Sequence, residues 1–210
     1  MSDKRTMIAQ NEALKGRAIP FDVEDSHFVN HSSIHAEPTK GQAKILLGMG
    51  CFWGAEKMFW QLDGVISTSV GYSGGYTPNP TYEEVCTGKT GHTEVVRIIY
   101  QPEVISLETL LTSFWENHDP TQGMQQGPDM GTQYRSAIYF YHDEQRVIAE
   151  RTRQRYQEAL TTGNQGMITT EITPAGPYYF AETYHQQYLA KNPDGYCGLN
   201  GTGVCFAPPQ

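Results

Sequence analysis

"AKILLGMGCFWGAEKMFWQL" occupies residues 43–62. It opens as a short apolar run, "AKILLG" (43–48), which reads as a buried strand. It passes through "GMGC" into "FWGAEKMFWQL" (52–62), where Phe52, Ala55, Phe59 and Leu62 recur at helical spacing. A thiol, Cys51, therefore falls at the start of a helix. Unpaired N–H groups and the positive end of the helix dipole favour an anion there. A thiolate is such an anion, so a lowered Cys51 pKa is expected. Gly48 and Gly50 allow a tight turn and leave room for another group to approach the sulfur. The competing reading is a buried, inert cysteine, the usual fate of a free thiol.

Outward from this junction, strands and helices alternate irregularly. "GVISTSVGYSGG" (64–75) is β-rich and closed by glycines, and "YTPNPTYEEVCTG" (76–88) is a turn-rich loop with one helical turn. "TEVVRIIY" (93–100) is a strand, and "SLETLLTSFWENH" (106–118) is a helix capped by Ser106. "DPTQGMQQGPDMGTQ" (119–133) is a loop of a length that is usually either functional or disordered. A strand (134–141), a helix capped by Asp143 (143–160), a strand (167–174) and a helix (180–191) follow. The pattern predicts an α+β fold with helices packed on a mixed sheet. An extended N-terminal arm (1–42) precedes a catalytic α/β domain (43–191), and a glycine-rich tail (192–210) follows it.

Composition narrows the class of function. The 210-residue chain carries 15 Lys+Arg against 23 Asp+Glu, a net charge of −8. Such a balance, without a basic run, argues against binding nucleic acid or an anionic membrane. No apolar stretch is long enough to span a bilayer. The start lacks the apolar segment of a secretory signal, so a cytoplasmic protein is expected. A monomer is expected as well. Four cysteines, Cys51, Cys86, Cys197 and Cys205, are too few for a disulfide scaffold. The spacing in "CGLNGTGVC" (197–205) is too wide for an ordinary zinc pair.

Three features carry chemistry. Cys51 is the first. The second is Glu94, which alternation places on one strand face with Val96, Ile98 and Tyr100. A carboxyl among apolar neighbours tends to stay protonated and can act as a general acid. A strand-end glutamate reaching solvent, or paired with Arg97 or His92, is the alternative. The third is the mobile tail dithiol, Cys197 and Cys205, which suits disulfide exchange. Tyr82 and Tyr134 lie in loops, where ordinary packing is the common outcome. His185 could serve Cys51 as a base, although a lone helical histidine is more often structural.

Taken together these stretches resemble the A-type peptide methionine sulfoxide reductases. The similarity is carried by "GCFWGAE" around Cys51, "GYSGGYTPNPTYEEVCTGKTGHTEVVRIIY" through residue 100, "FWENHDPTQ", "GTQYRSAIY" and "YHQQYLAKNPDGYCG". It spans residues 43–206 and leaves only the arm unmatched. The resemblance implies a ferredoxin-like α/β sandwich core. It implies reduction of methionine-S-sulfoxide, free or in oxidised proteins, as repair of oxidative damage. Neither a metal nor an organic cofactor is implied.

Carried over residue by residue, Cys51 is the nucleophile and Glu94 the proton donor to the sulfoxide oxygen. Phe52 and Trp53 form an apolar pocket for the S-methyl group. Tyr82 and Tyr134 hydrogen-bond the oxygen, and Asp129 helps bind the substrate. Attack releases methionine and leaves a sulfenic acid on Cys51. Cys197 condenses with it to a disulfide, Cys205 displaces Cys51, and thioredoxin reduces the 197–205 bond. A sulfoxide oxygen leaves poorly unless protonated, so a thiolate and a neutral carboxylic acid must coexist at one pH. Two other classes compete: a thiol peroxidase, which shares the sulfenic acid without needing a methyl pocket, and a zinc-stabilised binding module.

Overall fold

The computed structural model describes residues 3–206. The first two residues of the expected arm and the last four of the expected tail lie outside the described residues. Strand β1 (Ala43–Met49) runs through a glycine turn into α1 (Phe52–Trp60). There follow β2 (Val65–Ser73), α2 (Tyr82–Cys86), β3 (Thr93–Tyr100) and α3 (Leu107–Glu116). The hairpin β4 (Gln125–Gln126) and β5 (Asp129–Met130) comes next, then β6 (Ser136–Phe140) and α4 (Asp143–Thr162). The chain continues through β7 (Glu171–Pro174), β8 (Tyr178–Phe180) and α5 (Tyr188–Lys191).

The large sheet has the order β7-β6-β1-β3-β2-β8. β3 lies antiparallel to both β1 and β2, so β1 and β2 are parallel and need a crossover, which α1 supplies. β1 is antiparallel to β6 as well, so β3 and β6 form a second parallel pair bridged by α3. This split βαβ arrangement, β6-β1-β3-β2, is the ferredoxin-like core expected above. β7 joins β6 in parallel through α4, which makes the sheet mixed, and β8 extends the β2 edge.

Every residue of β3 is buried, because both faces of the sheet are covered. Val96, Ile98 and Tyr100 face the helices and pack with Phe59, Leu110, Phe114 and Trp115. Val95 faces the other way, with Leu46, Ala137 and Tyr139. The arm helps to close that second face. Buried Arg97 donates to the carbonyls of Ile34 (3.1 Å) and Ala36 (2.7 Å) and pairs with Glu37 at 2.9 Å. His27, Val23 and Ile34 of the arm are buried.

Several local expectations need correction. Ser106 does cap α3, accepting from the Thr109 amide at 3.1 Å. Asp143 does not cap α4: it is the first helical residue and pairs with Arg146. An acid there still meets the positive end of the dipole. The strand expected over 167–174 shortens to β7, because Thr169 donates instead to Pro120 in the preceding loop (2.8 Å). The helix expected over 180–191 is broken. Gln186 bonds the Val70 backbone through both amide atoms (2.9 and 2.8 Å), and Gln187 takes a left-handed conformation with φ 49°. What remains is a 3₁₀ turn, Thr183–His185, and one α-helical turn, α5.

The tail is held against α3 and α4. The Tyr156 hydroxyl donates to Val204 O at 3.0 Å, and Phe206 N donates to a Glu116 carboxylate oxygen at 2.8 Å.

Leu110 is fully buried at the centre of the α3–sheet contact. Leu110→Ala should cost about 2–5 kcal/mol. It should appear as a lower urea midpoint with an unchanged slope. A midpoint equal to wild type would deny that α3 is packed as described.

Candidate active site

The β1–α1 junction is built around glycine. Gly50 has φ +86°, and a Cβ there would stand 2.6 Å from the Gln126 side chain. Cys51 is the residue at the N-terminal cap of α1, as the sequence implied. Beside it lies a cavity of about 140 Å³ lined by Cys51, Phe52, Trp53, Tyr82, Glu94, Asp129, Tyr134 and Tyr196. Seven of these eight were named from the sequence, drawn from four separate stretches of chain; Tyr196 was not.

Separate devices hold each side chain. Glu94 comes from the helix-facing side of β3 and accepts the Phe52 amide at 3.0 Å. Tyr82 opens α2, whose capping box joins Thr81 and Glu84 reciprocally. Glu84 is tied in turn to Arg17 of the arm at 2.7 Å. Tyr134 closes a 3₁₀ turn, and the next residue, buried Arg135, donates to Thr132 O (2.7 Å) and Gly91 O (3.0 Å). The Trp53 indole donates to His185 Nδ1 at 3.0 Å and stacks on Tyr188 with 3.8 Å between centroids. Asp129 accepts from the Tyr196 hydroxyl at 2.9 Å. His185 is thus committed to Trp53. Burial pushes its pKa down to about 4, and with Nδ1 taken by the indole the ring is a weak base with no free acceptor for Cys51.

Electrostatics divides the two reactive groups. Glu94 is fully buried, and desolvation pushes its pKa up to about 8, opposed only in part by the Phe52 amide. At neutral pH it therefore holds its proton. The expectation of a lowered Cys51 pKa is overturned. Burial, the nearby Glu94 carboxyl and Asp129 push the thiol up, and only the Trp53 amide works the other way. One reason is local: the first free amide of α1 is spent on Glu94 rather than on sulfur. Burial keeps the Tyr82 and Tyr134 hydroxyls protonated, so both are available as donors.

The tail cysteines are separated. Cys197 lies over α1: a Cβ on Gly54 would come within 2.8 Å of its sulfur, so that glycine makes room for the tail. Cys205 lines a different cavity with Arg155, Glu158, Ala159, Thr162 and Phe206. All four cysteines are unbridged, and Cys86 is half-buried behind Tyr82. His185, Tyr188 and Tyr196 shape the site without a strong sequence signal. For Tyr196 the one cue was its place beside Cys197.

A buried protonated carboxyl and two phenols around one thiol, with a second thiol close by, define a thiol-dependent oxidoreductase. Comparison with known proteins gives the family. A family model described as peptide methionine sulfoxide reductase matches residues 43–203. The peptide methionine sulfoxide reductase MsrA of Vibrio cholerae serotype O1 is 68% identical over 208 residues, covering 99% of this chain and 98% of that protein. Methionine sulfoxide reductase A of Corynebacterium diphtheriae superposes with a TM-score of 0.86 at 45% identity, covering 97% of this chain and 100% of that one. Mxr1 from Saccharomyces cerevisiae in complex with Trx2 superposes with a TM-score of 0.52 at 25% identity, covering 74% and 91%. The chain belongs to the peptide methionine sulfoxide reductase family, A type.

A variant that keeps only Cys51 should show thiolate ultraviolet absorbance only above pH 9, the ordinary thiol value. Glu94→Gln in that background should move the transition down, because the repelling carboxylate is gone. A thiolate already formed at pH 7 would contradict the buried, unactivated thiol.

Proposed function

We propose that this chain reduces methionine-S-sulfoxide, free or within oxidised proteins, with Cys51 as nucleophile and Glu94 as acid. The observation that carries this reading is Glu94, protonated at neutral pH, in the same small cavity as Cys51. Phe52 and Trp53 form the wall for the S-methyl group. Tyr82 and Tyr134 donate to the sulfoxide oxygen, and Asp129, held by Tyr196, binds the polar part of the substrate.

The resting thiol is not activated, so the substrate must supply the activation. As Glu94 hands its proton to the oxygen, positive charge grows on the substrate sulfur. A cation beside Cys51 favours the thiolate. The thiolate takes up oxygen as sulfenic acid, the substrate sulfur leaves as methionine, and the thiol proton restores Glu94. Cys197, already over α1, condenses with the sulfenic acid and releases water. Cys205 then displaces Cys51 from Cys197. For this the segment bonded to Tyr156 and Glu116 must leave α4.

Thioredoxin reduces the resulting 197–205 bond. Support comes from the yeast relative solved with Trx2. A relay that must be re-reduced suits the cytoplasm, and no helix among the described residues is long and apolar enough to cross a membrane.

Incubating the protein with dithiothreitol and each resolved sulfoxide epimer tests the reading. Methionine should form from the S epimer alone, whereas consumption of hydroperoxide with neither epimer reduced would make the protein a peroxidase. Glu94→Gln should slow the single-turnover step by ~10²–10⁴. The wild-type rate should fall as pH rises through about 8, where the acid ionises, and the variant should lose that limb. An unchanged profile would remove Glu94 from the chemistry.

Cys205→Ser should still release one equivalent of methionine and stop as a 51–197 disulfide. Non-reducing peptide mapping would identify it, and sustained turnover with thioredoxin would exclude Cys205 from the relay.

A further inference from the structure

"GCFWGAE" ends in a residue that the proposed chemistry does not use. Glu56 lies one helical turn beyond Phe52 and is fully buried. Its carboxyl accepts three hydrogen bonds. Thr68 Oγ1 (2.9 Å) and Gln187 Nε2 (2.7 Å) donate to Oε1, and the Gln187 backbone N–H donates to Oε2 (2.8 Å).

Donor directions are fixed further out. His27 Nδ1 accepts the amides of Val29 (3.2 Å) and Asn30 (3.3 Å), so the ring proton sits on Nε2. That proton goes to Thr68 Oγ1 at 3.0 Å, which leaves the Thr68 hydroxyl hydrogen for Glu56. Gln187 Oε1 accepts from Phe28 N of the arm at 3.0 Å. All three groups thus meet Glu56 as donors, and the site is shaped for an acceptor.

Gln187 is the point where this network meets the pocket. Its φ of 49° and ψ of 42° are left-handed, a conformation that a non-glycine residue keeps only when its surroundings impose it. Both its backbone N–H and its side chain are tied to Glu56. The next residue, Tyr188, stacks on Trp53, and His185, two residues earlier, accepts the Trp53 indole.

We propose that Glu56 is a positioning residue: by holding Gln187 in its left-handed conformation it fixes Tyr188 and His185, and through them the Trp53 wall of the substrate pocket. The arm takes part through His27 and Phe28, so residues 27–28 belong to the pocket's support although they lie far from Cys51 in sequence. This rests on the function proposed above, in which Trp53 receives the S-methyl group.

Glu56→Gln is the discriminating variant. It keeps the shape, but in either orientation its amide nitrogen faces a donor, Gln187 N–H on one side or Thr68 and Gln187 Nε2 on the other. KM for methionine-S-sulfoxide should rise on the order of tenfold. The single-turnover rate at saturating substrate should stay near wild type and keep its limb near pH 8. Simple loss of folded protein would lower the number of active sites without moving KM. Gln187→Gly, which keeps a positive φ and removes the side-chain tie, should raise KM in the same direction and serves if Glu56→Gln does not fold.

A second measurement does not depend on activity. The indole N–H of Trp53, assigned by its loss in Trp53→Phe, should exchange with solvent faster in Glu56→Gln. That of Trp115, bonded to Thr152 on the far side of the core, should not change. Unchanged KM and unchanged Trp53 exchange would overturn the proposal. A loss of the pH limb would instead make Glu56 part of the acid chemistry, which also overturns it. Wild-type protein that reduces neither epimer would refute the proposed function, and the exchange measurement would still decide whether Glu56 holds Trp53.

Discussion

The hydrogen bond from the Phe52 amide to the Glu94 carboxyl, 3.0 Å long, joins the start of α1 to an inner strand of the ferredoxin-like core. It sets the Glu94 carboxyl beside the thiol, in the same cavity. It also takes up one amide of the helix start and leaves the Trp53 amide alone to favour the thiolate. A fully charged Glu94 would have to be desolvated and would repel a thiolate at Cys51. The resting site therefore favours two protons, one on each group. A thiol held protonated reacts slowly with oxidants.

The rest of the fold serves this bond by enclosing it. β3 can bury an acid because helices cover one face and the arm helps to cover the other, with Arg97 gripping two arm carbonyls. The arm also reaches the site from two directions. Arg17 braces the α2 capping box under Tyr82, and His27 and Phe28 brace Glu56 and Gln187 under Trp53. A segment with little more than one 3₁₀ turn and one β-bridge among its described residues is thus bonded to the supports of both Tyr82 and Trp53.

The tail places its two thiols apart. Gly54 lets Cys197 rest against α1, whereas Tyr156 and Glu116 hold the neighbourhood of Cys205 on α4. Those two bonds are partly buried, and Leu199, Val204 and Phe206 of the tail pack against the core. In the proposed relay Cys205 has to leave this packing once in each cycle.

Much of this was legible in the order of residues. Strict alternation placed Glu94 on the apolar face of β3, and the strand–glycine–helix pattern placed Cys51 at a helix start. Both follow from local periodicity, which the chain carries wherever it goes. The resemblance of "GCFWGAE" and "GTQYRS" to a known family added Phe52, Trp53, Tyr82, Asp129 and Tyr134, which no periodicity could have gathered. Tertiary structure alone decided three things. It broke the expected 180–191 helix, because Gln186 found the Val70 backbone and Gln187 found Glu56, partners more than a hundred residues away. It made His185 a support for Trp53 rather than a base. It also raised the Cys51 pKa where the helix end argued for lowering it. Desolvation depends on everything packed around a group, and that sum is written in no single stretch of sequence.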